Sequence, residues 1–222
     1  DVERREVAPL RSHTSCPDML IVTHPDLLPA AERLAAHRRL HLPGIPNPEV
    51  LVTTTRDIYE NFSGGRQDPL AIRNWVKFLW GLSSEPRLEY LLLLGDATRD
   101  PRQVLAESPP TLVPAVHPQY ADERSRRAYP VEDWFVELES PSGFDRFCPQ
   151  ADLSIGRLPA QDLAEAEHLT STLVSGSLNA TFSEIENLTG GNQQDEGMKD
   201  VALSEEQIRH EHLADHVAAA QR

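Results

Sequence analysis

The chain has 222 residues, enough for one sizeable α/β domain, with 35 acidic against 21 basic residues, a formal charge of −14 and 39% hydrophobic content. That acidity excludes a general nucleic-acid binder, which needs a basic face. No apolar stretch approaches the ~20 residues of a membrane span, and the charged opening DVERREVAPLRSHTS has no apolar signal core.

Residues 1–17 are polar and broken by proline, and they read as a lead-in to an α/β unit over 18–176. The first strand is predicted over 18–23, DMLIVT. Pro25 then opens a helix with Leu27, Leu28, Ala31, Leu34 and Ala35 on one stripe, ending at His37-Arg38-Arg39. EVLVTTT, 49–55, is β-branched and predicts a second strand. A right-handed crossover makes the two parallel. Residues 56–62 form a short helix or turn. The following Ser63-Gly64-Gly65 lacks the Gly-Lys-Ser/Thr of a phosphate loop. Asp68-Pro69 caps a further helix, in which Ile72, Trp75, Val76, Leu79 and Trp80 keep a helical period and face the core.

Tyr90 to Leu94 is a continuous apolar run, as in a central strand of a parallel sheet, and the strand is predicted over 90–95. Leu91 and Leu93 belong to one face, Leu92 and Leu94 to the other. Gly95 turns the chain and Asp96 lies at the strand's carboxyl end, where ligands collect in open parallel sheets; as a residue type Asp96 equally fits a loop cap. Residues 97–130 form a long polar connection in which only Leu112–Val116 suggests a strand. VEDWFVELE, 131–139, reads as an edge strand with Asp133 before its aromatic pair. A last strand is predicted over 151–156 and a helix over 160–174, with Leu163, Ala166, Leu169 and Leu173 inward. Residues 177–203 have the composition of a mobile polar linker, and 204–222 form a capped amphipathic helix. The expected fold is therefore α/β, a mostly parallel sheet with helices on both faces.

Three constellations could carry chemistry. Cys148 and His117 could be posed as nucleophile and base, but prolines flank both and nothing nearby lowers a thiol pKa. Cys148 reads equally as a buried filler, and with Cys16 leaves one disulfide open. His212 and His216 share a helix face at a workable zinc spacing, which also fits a solvated face. Asp96, Asp100, Asp122, Asp133 and Asp152 could place carboxylates at one sheet edge for calcium, an oxygen-seeking structural ion, although their spacing matches no loop motif. Asn-x-Ser/Thr triplets occur at Asn61, Asn179 and Asn187.

Five segments taken in order carry a resemblance: DMLIVTHPDLLPAAERLAAHRR, VLVTTTRDIYENFSGGRQDPLAIRNWVKFL, LEYLLLLGDATRDPR, YPVEDWFVEL and ADLSIGRLPAQDLAEAEHL. Together they resemble the gingipain family of caspase-like cysteine peptidases, which includes the sortase-like proteins of type IX secretion. The resemblance covers about residues 18–175, and QIRHEHLADHVA is similar to the family's next helix. It implies a caspase-like, Rossmann-like three-layer sandwich and hydrolysis of peptide bonds by a His-assisted thiolate. It also implies a protein or peptide substrate, a secreted or cell-surface location and no required cofactor. The family's Gly-His-Gly loop does not occur in these residues, and Cys148 falls too early to be its nucleophile. The chain is therefore expected to resemble the first part of such a domain, inactive without the remainder. The alternative is a non-catalytic binding or assembly module on the same scaffold.

Overall fold

The computed structural model describes residues 7–83, 87–101, 103–116, 131–139 and 151–176, to which all structural statements here refer. The chain divides into Asp1–Glu186 and Asn187–Arg222, and every described residue lies in the first unit. The linker and helix expected over 177–222, and His117, Asp122 and Cys148, lie outside the described residues.

Four strands form one parallel sheet in the order β2-β1-β3-β4: β1 is Met19–Thr23, β2 Val50–Thr54, β3 Tyr90–Leu94 and β4 Ser154–Leu158. The expected alternation along β3 is present. Leu91 and Leu93 join Leu20 and Val22 in one core, while Leu92 and Leu94 join Met19 and Ile21 in the other. All four leucines are fully buried, each contributing about 2 kcal/mol of transfer free energy. The second core is closed by α1 (Leu28–Arg38) and α4 (Leu163–Gly176). The first is closed by α2 (Thr55–Phe62) and α3 (Pro69–Trp80). Helices on both faces of a parallel sheet make three layers.

The helix boundaries follow from caps. Asp68 Oδ1 accepts from Leu70 N at 2.9 Å to start α3, with Pro69 at its first position. Trp75 is fully buried with Nε1 on Thr53 Oγ1, whereas Trp80 is only partly covered. Thr54 Oγ1 accepts from Asp57 N, so the second strand ends one residue before the expected 55 and Thr55 begins α2. His24 Nδ1 accepts from Asp26 N, which makes Pro25–Leu27 a 3-10 turn ahead of α1. Asp162 Oδ1 accepts from Glu165 N while Glu165 Oε2 accepts from Gln161 N, a reciprocal cap that delays α4 from the expected 160 to Leu163. Leu163 is consequently on the outside, not inward.

Part of the lead-in packs on the domain: Leu10 and Cys16 are buried in the first core, and Asn61 Nδ2 donates to Ala8 O and Asp57 O, both at 2.8 Å. Other expectations are corrected. Residues 131–139 are not an edge strand. Asp133–Phe135 is a 3-10 turn, and Trp134 to Leu138 are buried in succession against α3. This backbone finds its partners in side chains rather than a ladder: Arg73 donates to Trp134 O and Glu137 O, Lys77 Nζ to Leu138 O, and Asp152 Oδ2 accepts from Leu138 N and Glu139 N. Leu112–Val116 is likewise no strand; Leu112 N and Val113 N both donate to Asp96 O. The fourth strand runs through Gly156-Arg157 to Leu158 instead of stopping there.

Candidate functional site

In this strand order the connection from β1 leads to one neighbour, β2, and the return leads to the other, β3. Such a reversal opens a crevice at the carboxyl ends of the strands. A cavity of about 350 Å³ lies at that edge, lined by His24 and Pro25 after β1, by Thr55, Arg56, Tyr59 and Glu60 of α2, and by Gly65, Gln67, Thr111 and Leu112. A smaller hollow of about 220 Å³ shares Gln67 and Thr111 and is otherwise lined by Pro69, Thr98, Pro101, Pro114 and Ala115.

Arg157 builds this edge. Its side chain is 11% exposed and all five N–H groups donate: Nε to Glu132 Oε1 (2.8 Å), Nη1 to Gly95 O and Val113 O (both 2.8 Å), Nη2 to Pro114 O (3.0 Å) and Glu132 Oε2 (2.9 Å). The bidentate pair with Glu132 compensates the charge, and the carbonyls tie the turn after β3 to the 112–114 segment. Gly95 sits beneath that segment at φ +140°, where an added Cβ would lie 2.9 Å from Val113 Cγ2.

The lining is polar. The Tyr59 hydroxyl and Glu60 Oε2 are buried without a hydrogen-bond partner. Burial pushes the Tyr59 phenol above its ordinary value of 10, with Asp68 adding and Arg157 opposing. Burial holds the His24 imidazole below 6.5, against the pull of Asp26 and helped by Arg56. His24 Nδ1 accepts from Asp26 N.

Among the described residues, the acids considered for a shared sheet-edge site, Asp96, Asp100, Asp133 and Asp152, are not grouped to hold a metal ion. Asp96 lies at the carboxyl end of β3, as expected, but acts as a loop cap: Oδ1 accepts from Ala97 N (2.8 Å) and Oδ2 from Gln161 Nε2 (3.3 Å). Asp100 Oδ2 holds Leu105 N at 2.7 Å. Asp133 is exposed at the start of its turn. Among the described residues no three His, Cys, Asp or Glu are grouped to hold a metal ion. Cys16 is a free, buried thiol just before β1, at the opposite edge, with Sγ on Pro17 O.

Sequence reasoning missed Tyr59, Glu60, Arg56 and His24 as a group. Arg56 and Glu60 are four apart on one helix, but nothing in the pattern tells a site from a solvated face. Arg157 had a signal, a lone arginine inside an apolar strand pattern.

The three-layer parallel sheet with its carboxyl-edge crevice defines an open, doubly wound α/β scaffold. A family model, peptidase family C25, matches residues 12–220. The chain belongs to peptidase family C25, the gingipain family. Among solved structures it is similar to dimeric latent PorU from Porphyromonas gingivalis, with 24% identity and a TM-score of 0.57. That likeness, which establishes the fold, covers 71% of this chain and 15% of the PorU chain. Comparison with curated proteins gives no match. No helix among the described residues is long and apolar enough to cross a membrane.

Proposed function

We propose that this chain contributes the scaffold and one wall of the substrate cleft to a gingipain-type cysteine peptidase, and does not itself carry the nucleophile. Acyl transfer needs a thiolate, a base and oxyanion donors in one geometry. The observation that carries the reading is where the one thiol among the described residues, Cys16, lies. The cavity is at the carboxyl edge of the sheet, whereas Cys16 is buried at the amino edge. Cys148 is flanked directly by Phe147 and Pro149, and His117 by Val116 and Pro118, none of which activates a thiol or an imidazole. Family membership supports a protein or peptide substrate, a secreted or cell-surface setting and, as partner, the remainder of a peptidase domain. A second reading, a non-catalytic binding module, is favoured by the polar cavity, in which no thiol lies among the described lining residues.

The test is peptide turnover and labelling by a thiol-reactive peptide probe on the purified chain. Neither is expected. Turnover that Cys148→Ala abolishes would overturn the reading and make this chain a minimal enzyme.

A further inference from the structure

Helix α2 forms one wall of the carboxyl-edge cavity, through Thr55, Arg56, Tyr59 and Glu60. It has eight residues, fewer than the ~12–15 an isolated helix needs for stability, so tertiary contacts hold it. Ile58 anchors it in the first core. Asn61 and Phe62 meet the segment that precedes β1. Asn61 Nδ2 gives one proton to Ala8 O and the other to Asp57 O of its own helix, each at 2.8 Å. Arg11 Nε donates back to Asn61 O at 3.0 Å, and its guanidinium lies 4.8 Å over the Phe62 ring. Between these points a 3-10 turn, Leu10–Ser12, sinks Leu10 into the first core, and His13 meets Trp75 edge-on at 5.7 Å. Among the described residues the backbone–backbone hydrogen bonds of 8–16 are all local: Leu10 N to Ala8 O, Ser12 N to Pro9 O and His13 N to Leu10 O. Most of the segment is exposed. A stretch with few buried side chains and no ladder to the sheet belongs to the low-stability end of a fold, where local opening occurs.

We propose that residues 8–16 are a strap that fixes the cavity wall, with Asn61 as its latch. Opening the strap loosens α2 and leaves the four-stranded sheet folded. The latch is specific to the amide: two acceptors need two N–H groups from one nitrogen, which a carboxylate lacks. The same nitrogen is the one a glycan on the Asn61-Phe62-Ser63 triplet would take, and a glycosylated Asn61, left with one N–H, cannot hold both acceptors. The inference concerns control of the wall's position and stands if the peptidase reading fails.

The experiment is residue-resolved hydrogen exchange on the full chain and on Asn61→Asp, Asn61→Ala and Arg11→Gln. In the Asn61 variants the amides of 8–13 and of 55–62 exchange about tenfold faster or more, the effect of losing one net hydrogen bond, while those of β1 and β3 keep their rates. Arg11→Gln moves the same amides in the same direction by less. Thermal melts check that each variant is folded, and Arg11→Gln, at an exposed position, carries the test if the Asn61 variants do not fold. The proposal is overturned if the amides of 8–13 keep their rates, or if β1 and β3 speed up equally, which makes the segment part of the global unit. It is also overturned if 8–13 speeds up while 55–62 does not, which makes the wall independent of the strap.

Discussion

The two edges of the sheet use buried charge differently. At the amino edge Asp18, 4% exposed, meets every demand from within the chain. Its carboxylate takes Glu49 N at 2.7 Å and a bidentate pair with Arg87, and its carbonyl takes Glu89 N and Tyr90 N. Three strand entrances are tied at one residue. At the carboxyl edge Arg157 makes the equivalent tie, with five donors into three carbonyls and Glu132. Next to it Tyr59 and Glu60 line open volume. Both ties serve stability, one a carboxylate that holds strand entrances and the other a guanidinium that holds loops.

Breaking each edge in turn should separate these roles. The largest effect is expected from Arg157→Leu, which strands Glu132 and three backbone carbonyls. With Glu132 28% exposed, the loss should be about 3 kcal/mol by denaturant unfolding. A change under about 1 kcal/mol would mean water replaces the guanidinium easily. At the other edge Asp18→Ala leaves the Glu49 N–H without its acceptor and should cost about 2 kcal/mol. If Asp18→Ala costs clearly more than Arg157→Leu, this ranking of the two edges fails.

The smallest effect concerns pH. Burial depresses His24, and His37 is lowered by burial, Arg38 and His41. A histidine with a folded pKa below 6.5 binds fewer protons folded than unfolded as the pH falls through that value. Its contribution to stability is therefore intact above about pH 7 and lost progressively below about 6.5. His24→Gln should flatten the fall in Tm across that window without abolishing it, since His37 remains. An unchanged slope would show that His24 is freely solvated at the cavity.

How much of this was legible can be argued from particular residues. The sheet's centre was open to reading because Tyr90–Leu94 is apolar without interruption, and alternation then assigns its leucines to two cores. Asp68-Pro69 announced α3 because cap and fixed φ act locally. The segment 131–139 misled for a physical reason. A run buried on all sides looks the same whether its backbone pairs with a strand or with side chains, and here Arg73, Lys77 and Asp152 supply partners from distant positions. The last strand was expected to stop at 156 because an arginine inside a parallel strand is costly unless compensated, and the compensation of Arg157 comes from Glu132 and loops far away in sequence.

The sequence by itself determined the class of fold, the two-faced central strand, the start of α3 and the family resemblance, since periodicity, caps and segment order are properties of neighbouring residues. It also placed Asp96 at the end of the central strand. Only the tertiary structure decided what Asp96 does there, that the acids at 96, 100 and 133 stay apart, and that Arg56, Tyr59 and Glu60 face one cavity with His24 and Thr111. Those outcomes depend on which loops cross the carboxyl edge and on where each polar atom finds a partner. Contacts spanning dozens of residues settle both, and no local pattern encodes them.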